Sequence, residues 1–254
     1  MDRTIAVPIK RVPGSAGDDL VVVEEPLEIR VGDRPLSVTM RTPGDDFDLA
    51  VGFLFTEGLL RDPAEIESIR HWGSPNVVRV AVSVPLDLSK VQRHFYATSS
   101  CGICGKASID AIRVQAPPIE SAARIDSDVL ARLPDALRTT QPAFDATGAI
   151  HAAAAFTAGG MLVRAREDVG RHNAVDKVIG SLFLEGRRAE VLVVSGRAGF
   201  EIVQKAVVAA IPIVVAVGAP SSLAVDLARE SGQTLAGFVR EGRFNVYSGG
   251  ERIG

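Results

Sequence analysis

The second half of the chain alternates short apolar strands with helices, and that alternation constrains the fold more than any other feature. Val191-Leu192-Val193-Val194 reads as a strand, Glu201 to Ala210 as a helix, Ile213 to Val217 as a strand, Leu223 to Glu230 as a helix and Thr234 to Val239 as a strand. Strands this short and this uniformly apolar need cover on both faces. Strand–helix–strand units of this length predict a largely parallel sheet with helices on either side. Just upstream, Ile150 to Phe156 and Met161 to Arg166 read as a hairpin joined through Ala158-Gly159-Gly160. Val175, Val178, Ile179, Leu182 and Phe183 then mark a helix ending at Gly186.

Open α/β sheets bind ligands beyond the carboxyl ends of their strands. Those positions here carry Arg166-Glu167-Asp168-Val169-Gly170-Arg171-His172-Asn173, then Ser195-Gly196-Arg197-Ala198-Gly199-Phe200, then Gly218-Ala219-Pro220-Ser221-Ser222. Each loop leads into a helix N-terminus, so one edge of the sheet can present backbone N–H groups and cations to phosphates. Phe238-Val239-Arg240-Glu241-Gly242-Arg243 adds further cations and a flat hydrophobe. The combined expectation is a nucleotide-like or diphosphate-bearing ligand. A plainer account stands beside it. Ser221 and Ser222 are good N-caps without any ligand, Arg166 and Arg197 can pair with Glu167, Asp168 or Glu201, and no complete P-loop or dinucleotide fingerprint is present. His172 is either a capping histidine or a binding and proton-handling one.

The only two cysteines fall in Thr98-Ser99-Ser100-Cys101-Gly102-Ile103-Cys104-Gly105-Lys106. Glycine after each sulfur keeps it uncrowded. Ala107, Ile109, Ala111, Ile112 and Val114 can form an apolar helical face, which places the pair at or just before a helix N-terminus. There the dipole and Lys106 favour thiolate over thiol. A nucleophilic sulfur is the leading reading. Half of a zinc site completed by His71, His94, His151, His172 or carboxylates shares the spacing, as does a thioredoxin-like redox pair. A structural disulfide is disfavoured, since 254 residues bury a sizeable core without staples.

The first part of the chain reads as a mixed α+β unit. Leu20 to Val31 and a strand with Leu36, Val38 and Met40 on one face are expected to pair antiparallel around Gly32-Asp33. Phe47 to Leu60 reads as a buried helix, and Val77 to Val84 as a further strand stopped by Pro85. Arg41, Asp45, Asp46 and Glu57 are expected to be solvated or capping charges. The proline-rich stretch from Gln115 to Pro142, with an amphipathic helix from Ser127 to Leu137, reads as a boundary. The expected division is therefore 1–115 as an N-terminal domain ending in the Cys-x-x-Cys loop and its helix, 116–142 as a linker, and 143–254 as the cofactor-binding domain.

With 46% hydrophobic and 23% charged residues and a formal charge of -3, the chain has no global basic field for nucleic acid. It begins without a signal-peptide-like apolar run, and its apolar stretches are broken by glycine, proline or charge, so a cytoplasmic protein that engages no membrane is expected.

Thr98 to Gly105, Glu167-Asp168-Val169-Gly170-Arg171-His172-Asn173-Ala174-Val175-Asp176-Lys177, Ser195-Gly196-Arg197 and Gly218-Ala219-Pro220-Ser221-Ser222 together resemble the signature blocks of the formate dehydrogenase accessory sulfurtransferase (FdhD) family, from about Leu20 to Tyr247. The resemblance implies an α/β fold: a C-terminal three-layer α/β/α domain similar to the cytidine-deaminase-like fold, preceded by the smaller α+β domain. It implies a homodimer that accepts persulfide sulfur from a cysteine desulfurase and passes it to the molybdenum cofactor, in its bis(molybdopterin guanine dinucleotide) form, for formate dehydrogenase. That cofactor is a bound substrate, with no permanently bound cofactor or metal. Carried over, Cys101 bears the persulfide and Cys104 assists transfer or resolution. The cofactor contacts fall on Phe238 to Arg243 (Phe238, Val239, Arg240, Glu241, Gly242, Arg243), with Arg171, His172, Asn173, Ser195, Gly196, Arg197, Gly218 and Ser221. A chaperone that shelters the cofactor without transferring sulfur, or a thiol-disulfide oxidoreductase, are the rival functions. His151-Ala152-Ala153 resembles the deaminase His-x-Glu but lacks its glutamate, and the cysteines precede it rather than follow, which argues against zinc-dependent deamination.

Overall fold

The computed structural model describes residues 2–87, 114 and 116–254. Cys101, Cys104 and the helix expected to follow from Lys106 lie outside the described residues.

The N-terminal unit starts with an antiparallel hairpin of Thr4–Lys10 (β1) and Ala16–Val22 (β2). Glu25–Val31 (β3) and Arg34–Arg41 (β4) then pair antiparallel across Gly32-Asp33, as expected. Asp46–Thr56 (α1) is followed by Ile66–His71 (β5) and Val77–Val82 (β6), giving a sheet of order β4-β3-β6-β5. One face of this sheet, through Leu27, Ile29, Val78 and Val80, packs on Leu49, Ala50 and Leu54 of α1.

Two expectations fail in this unit. Leu20 to Val31 is not one strand, because β2 and β3 belong to different sheets and the chain turns between them at Val23-Glu24. Leu36, Val38 and Met40 do not share the buried face either. Ile29 pairs with Ser37 but Arg30 with Pro35, so Leu36 is the extra residue of a bulge. A bulge resets which parity faces the core. Leu36 is buried, Val38 and Met40 are exposed, and Thr39 and Arg41 turn inward beside Leu27 and Glu25. Strands β1 and β5 were not anticipated, since neither shows a clean period-two alternation.

In the second half, Ser127–Arg138 (α2) and Pro142–Thr147 (α3) precede the hairpin His151–Phe156 (β7) and Leu162–Asp168 (β8). Arg171–Leu184 (α4), Val191–Val194 (β9), Phe200–Val208 (α5), Ile213–Ala216 (β10), Ser222–Glu230 (α6), Thr234–Arg240 (β11) and Arg243–Ser248 (β12) follow. The six strands run in the order β12-β11-β10-β9-β7-β8. Only the neighbouring pairs β9–β10 and β10–β11 are parallel; β7 and β12 run against their neighbours, so the sheet is mixed rather than largely parallel. The unanticipated β12 closes one edge as a hairpin from β11.

Alternate residues of the fully buried strands serve two layers, the reason these strands read as unbroken apolar runs. Leu192, Val194, Val214 and Ala216 pack under α4, α5 and α6. Val191, Val193, Ile213 and Val215 pack against Leu130, Leu133 and Leu137 of α2. Helix α2 was placed correctly, with Asp126 accepting N-cap hydrogen bonds from the Asp128 and Val129 N–H groups. It is a layer of the fold rather than part of a tether.

Candidate functional site: the carboxyl edge of the six-stranded sheet

Strand β8 is antiparallel to β7, which is antiparallel to β9, so β8, β9, β10 and β11 all point the same way. Their carboxyl ends share one edge, from which α4, α5 and α6 begin. Four strand spacings separate β8 from β11, a span of roughly 19 Å. That length suits an extended ligand with two or more phosphates better than a single small anion.

Two helices open on this edge with no side-chain cap: Gly170 is the N-cap of α4 and Gly199 that of α5. Backbone donors at such ends, with the helix dipole behind them, favour anions. Helix α6 differs, because Ser221 accepts from the Ala224 N–H at 3.3 Å and meets its own cap. Arg197 extends exposed from the loop after β9, and Arg171 opens α4 with a buried Nε that has no hydrogen-bond partner among the described residues. His172 is buried, its Nε2 lying 2.6 Å from Oε2 of Glu201 in the first turn of α5, so the pair ties the two helix starts together.

The three loops interlock through their backbones. Gly218 N–H donates to Gly196 O at 3.0 Å, Ala198 bridges Pro220, and the Phe238 N–H donates to Gly218 O at 3.1 Å. Ser195 Oγ accepts from the Ala152 N–H at 2.9 Å, which fixes its loop to β7. Phe238 has φ of 56°, a conformation seldom adopted by an aromatic residue, within a register shift between Gly237 and Arg240. The irregularity leaves its ring 42% exposed at an open groove of about 730 Å³ lined also by Arg240, Gly242, Arg243, Phe244 and Asn245. Glu241 pairs with Arg243 at 3.0 Å on the rim.

The structure separates the sequence-selected residues into two groups. Arg171, His172, Ser195, Gly196, Arg197, Gly218, Ser221, Phe238 and the turn Arg240-Glu241-Gly242-Arg243 belong to this edge. Val239 does not present a side chain to it, being fully buried in the layer under α2. Asn173 also faces away: its Nδ2 donates to Met40 O and to Asp168 Oδ1, and its Oδ1 accepts from Thr39 Oγ1, all of them interior contacts. His151, at the start of β7, also adjoins this edge, a place that neither the zinc nor the deaminase reading of it anticipated. A side chain at Gly196 would meet its ring at 3.5 Å. Burial, then the positive charge of Arg171 and the neighbouring His172 ring, holds its pKa below the ordinary histidine value. It is therefore neutral near pH 7.

Asn173 belongs to a second polar cluster, the seam where α4 meets the N-terminal unit. Lys177 is fully buried, its Nζ 2.7 Å from Asp168 Oδ2 and donating to Thr42 O at 2.8 Å. Asp168 also accepts from the N–H groups of Thr42 and Gly170. Asp176 accepts from Thr56 Oγ1 and Lys205 Nζ at 2.9 and 2.8 Å. Arg41, expected to be solvated, is fully buried in a bidentate pair with Asp46 and also reaches Glu25 and Asn76. Arg166 pairs with Asp48 of α1 at 2.7 Å, not with Glu167, which instead accepts from the Ala143 and Phe144 N–H groups at the start of α3. Helices α1 and α4 come so close that a Cβ on Gly52 or Gly180 would lie 1.9 Å from a carbonyl oxygen of the other helix.

Fold and site together define a two-unit mixed α/β protein whose main sheet gathers two helix N-termini without side-chain caps and two arginines at one edge, with a cysteine pair in the sequence between the units. The chain belongs to the FdhD/NarQ family, whose model matches residues 22–254. A sulfur carrier protein FdhD of Streptomyces avermitilis is 50% identical over 99% of this chain and 95% of its own length. That of Mycobacterium tuberculosis is 47% identical over 92% of each. A solved structure described as a formate dehydrogenase accessory protein, from Desulfotalea psychrophila, superposes with a TM-score of 0.80 at 28% identity, covering 99% of this chain and all of that one. The family model begins at Val22, so the β1-β2 hairpin lies almost wholly outside that model, although the Streptomyces avermitilis relative and the solved structure each cover 99% of the chain. Among the described residues no helix is long and apolar enough to cross a membrane.

Proposed function

We propose that this protein is a cytoplasmic sulfur carrier that takes sulfur on Cys101 from a cysteine desulfurase and delivers it to a molybdenum cofactor carrying guanine dinucleotides, for use by formate dehydrogenase. The observation that carries the reading is the carboxyl edge: two helix N-termini without side-chain caps, Arg171 and Arg197 beside them, and Phe238 held exposed over a groove rimmed by Arg240 and Arg243. Phosphates suit the N–H groups and guanidiniums, and a guanine ring suits the aromatic and guanidinium planes. The relatives named as sulfur carriers support the same reading.

In the loading step the Cys101 thiolate attacks the outer sulfur of the donor's persulfide. A new S–S bond forms on Cys101 while the donor's cysteine leaves as thiolate, with no net change in oxidation state. In delivery, Cys104 attacks Cys101, the intramolecular disulfide forms, and the outer sulfur leaves as sulfide for the metal centre. The two thiols supply both electrons of that step, and cellular thiols reset the disulfide. The edge binds and orients the cofactor; the protein functions as a homodimer.

The test incubates reduced protein with a cysteine desulfurase and labelled cysteine, followed by peptide mass spectrometry. One reductant-labile sulfur atom on Cys101 is expected. Cys101→Ala should abolish loading and formate dehydrogenase activation while leaving guanine nucleotide binding intact. Activation that survives Cys101→Ala would instead make the protein a cofactor chaperone.

A further inference from the structure

The outer face of the four-stranded sheet carries a row of like charge. Arg30 pairs in register with Arg79, and Arg79 with Arg70, so three arginines stand side by side across β3, β6 and β5. Like charges directly opposite one another weaken a sheet, and nothing in the core requires these residues, because Ile29, Val78, Val80 and Ile69 supply the inward side chains. Two of the three are partly compensated: Arg30 pairs with Glu28 at 2.7 Å and Arg79 with Asp33 at 3.2 Å. Arg70 is exposed and has no ion pair among the described residues. Trp72 lies against the same row, with the Arg30 and Arg79 guanidinium carbons 4.7 and 5.2 Å from its ring, and is itself 39% exposed. The bulge at Leu36 turns Val38 and Met40 onto this face as well, at 56% and 38% exposure.

We propose that this face docks the protein that donates sulfur, through a carboxylate that meets Arg70 and an apolar side chain that covers Trp72. The identity of the partner rests on the sulfur-carrier reading; the surface does not. Three arginines against two carboxylates leave about one net positive charge, too little to track a polyanion such as nucleic acid, which needs a run of cations along its backbone. Tryptophan and arginine side by side are instead residues enriched in the centres of protein interfaces, and the exposed Val38 and Met40 extend the apolar part of the same face. The cofactor is assigned to the other unit's sheet edge. The cysteine segment leaves the N-terminal unit directly after β6, the strand that carries Arg79. A donor that must reach Cys101 without occupying the cofactor's place gains by holding the unit from which that segment departs.

The test measures the affinity of a purified cysteine desulfurase for the full-length protein by titration, and in parallel the rate of Cys101 loading at sub-saturating desulfurase and from a small-molecule persulfide donor. Arg70→Glu and Trp72→Ala should each weaken binding and slow desulfurase-driven loading by about tenfold or more, with loading from the small-molecule donor unchanged. Wild-type affinity should fall with added salt, and that dependence should shrink in Arg70→Glu. Arg70→Thr should raise the melting temperature by about 1–3 °C, as removal of a like charge from the row predicts. Unchanged desulfurase affinity in Arg70→Glu and Trp72→Ala, or no binding by the wild type, overturns the docking surface. Wild-type protein that loads from neither donor overturns the carrier reading instead, and the titration still reads the surface.

Discussion

The α1–α4 seam and the carboxyl edge of the six-stranded sheet are built from the same motif and treat charge in opposite ways. In the seam, Lys177, Asp168, Asp176, Lys205, Arg41 and Asp46 are buried and paired. At the edge, two helix starts lack side-chain caps, Arg197 is exposed, and the buried Nε of Arg171 has no partner among the described residues. Asn173, Asp176, Lys177 and Gly180 recur at i, i+3, i+4 and i+7, so they line the one face of α4 that meets α1, while Arg171 and His172 fall off that face. A charge that is saturated holds the fold, and one left open is available to a ligand. The two regions should therefore separate cleanly under mutation, the seam failing in stability and the edge in binding.

Lys177→Ala should do the most damage. It leaves the Asp168 carboxylate buried and without its cation, which costs about 3–5 kcal/mol and in a marginally stable domain threatens folding itself. Urea unfolding followed by circular dichroism reads the loss; a change below about 1 kcal/mol would mean that water reaches the seam and that its pairing is dispensable. Gly52→Ala comes next. Its methyl group has no room against the Asp176 carbonyl, so the helices must part, at about 1–3 kcal/mol. The gain of about 1 kcal/mol in helix propensity offsets part of this. An unfolding midpoint equal to wild type would show that the two helices slide freely.

The alternating strands and helices of the second half were legible because burial on both faces writes itself as apolar runs, and the positions of α2, β7 to β11 and α4 to α6 followed from that. Helix α4 shows what the same method misses. Its apolar stripe, Val175, Val178, Ile179 and Leu182, locates the helix, but Asn173, the first residue of its polar stripe toward α1, reads as a ligand contact, because apolar periodicity leaves polar residues to solvent or function. Asn173 was misplaced for that reason, and Arg41 was assumed to be solvated. Gly52 and Gly180, each inside a helical pattern, were the available sign that two helices touch. The bulge at Leu36 gave no sign at all: nothing in Leu36-Ser37-Val38-Thr39-Met40 announces that the inward parity changes. The loops after the strand ends carry the unusual residues that the sheet gathers at one edge, and His151, which the sequence offers only as a zinc ligand or a deaminase-like histidine, joins them from the start of a strand.

Arg171→Ala should sharpen the contrast by acting in the other direction. Its backbone N–H remains at the start of α4, but the guanidinium offered to a phosphate is gone. The affinity for a guanine nucleoside diphosphate should fall by about 1–3 kcal/mol, a factor of roughly 5 to 150, while the unfolding free energy stays within about 0.5 kcal/mol of wild type. Isothermal titration and urea unfolding on one preparation supply both numbers. Unfolding that changes more than binding would place Arg171 with the seam.

The smallest effect is expected at His151, which adjoins the edge yet is kept neutral by burial, by the positive charge of Arg171 and by the neighbouring His172 ring. Its folded pKa lies below the unfolded value, so between the two the unfolded chain binds more protons, and stability must rise with pH across that window. The contribution of a neutral His151 is thus fully present above the ordinary histidine pKa and is lost as pH falls toward the depressed folded value. His151→Asn should therefore flatten the part of the stability profile just below pH 6.5 and leave the profile above it parallel to wild type. Chemical unfolding at closely spaced pH values measures this. A profile in which the substitution matters equally above and below that range would show that His151 supports the edge through packing against the Ser195–Gly196 loop rather than through its charge.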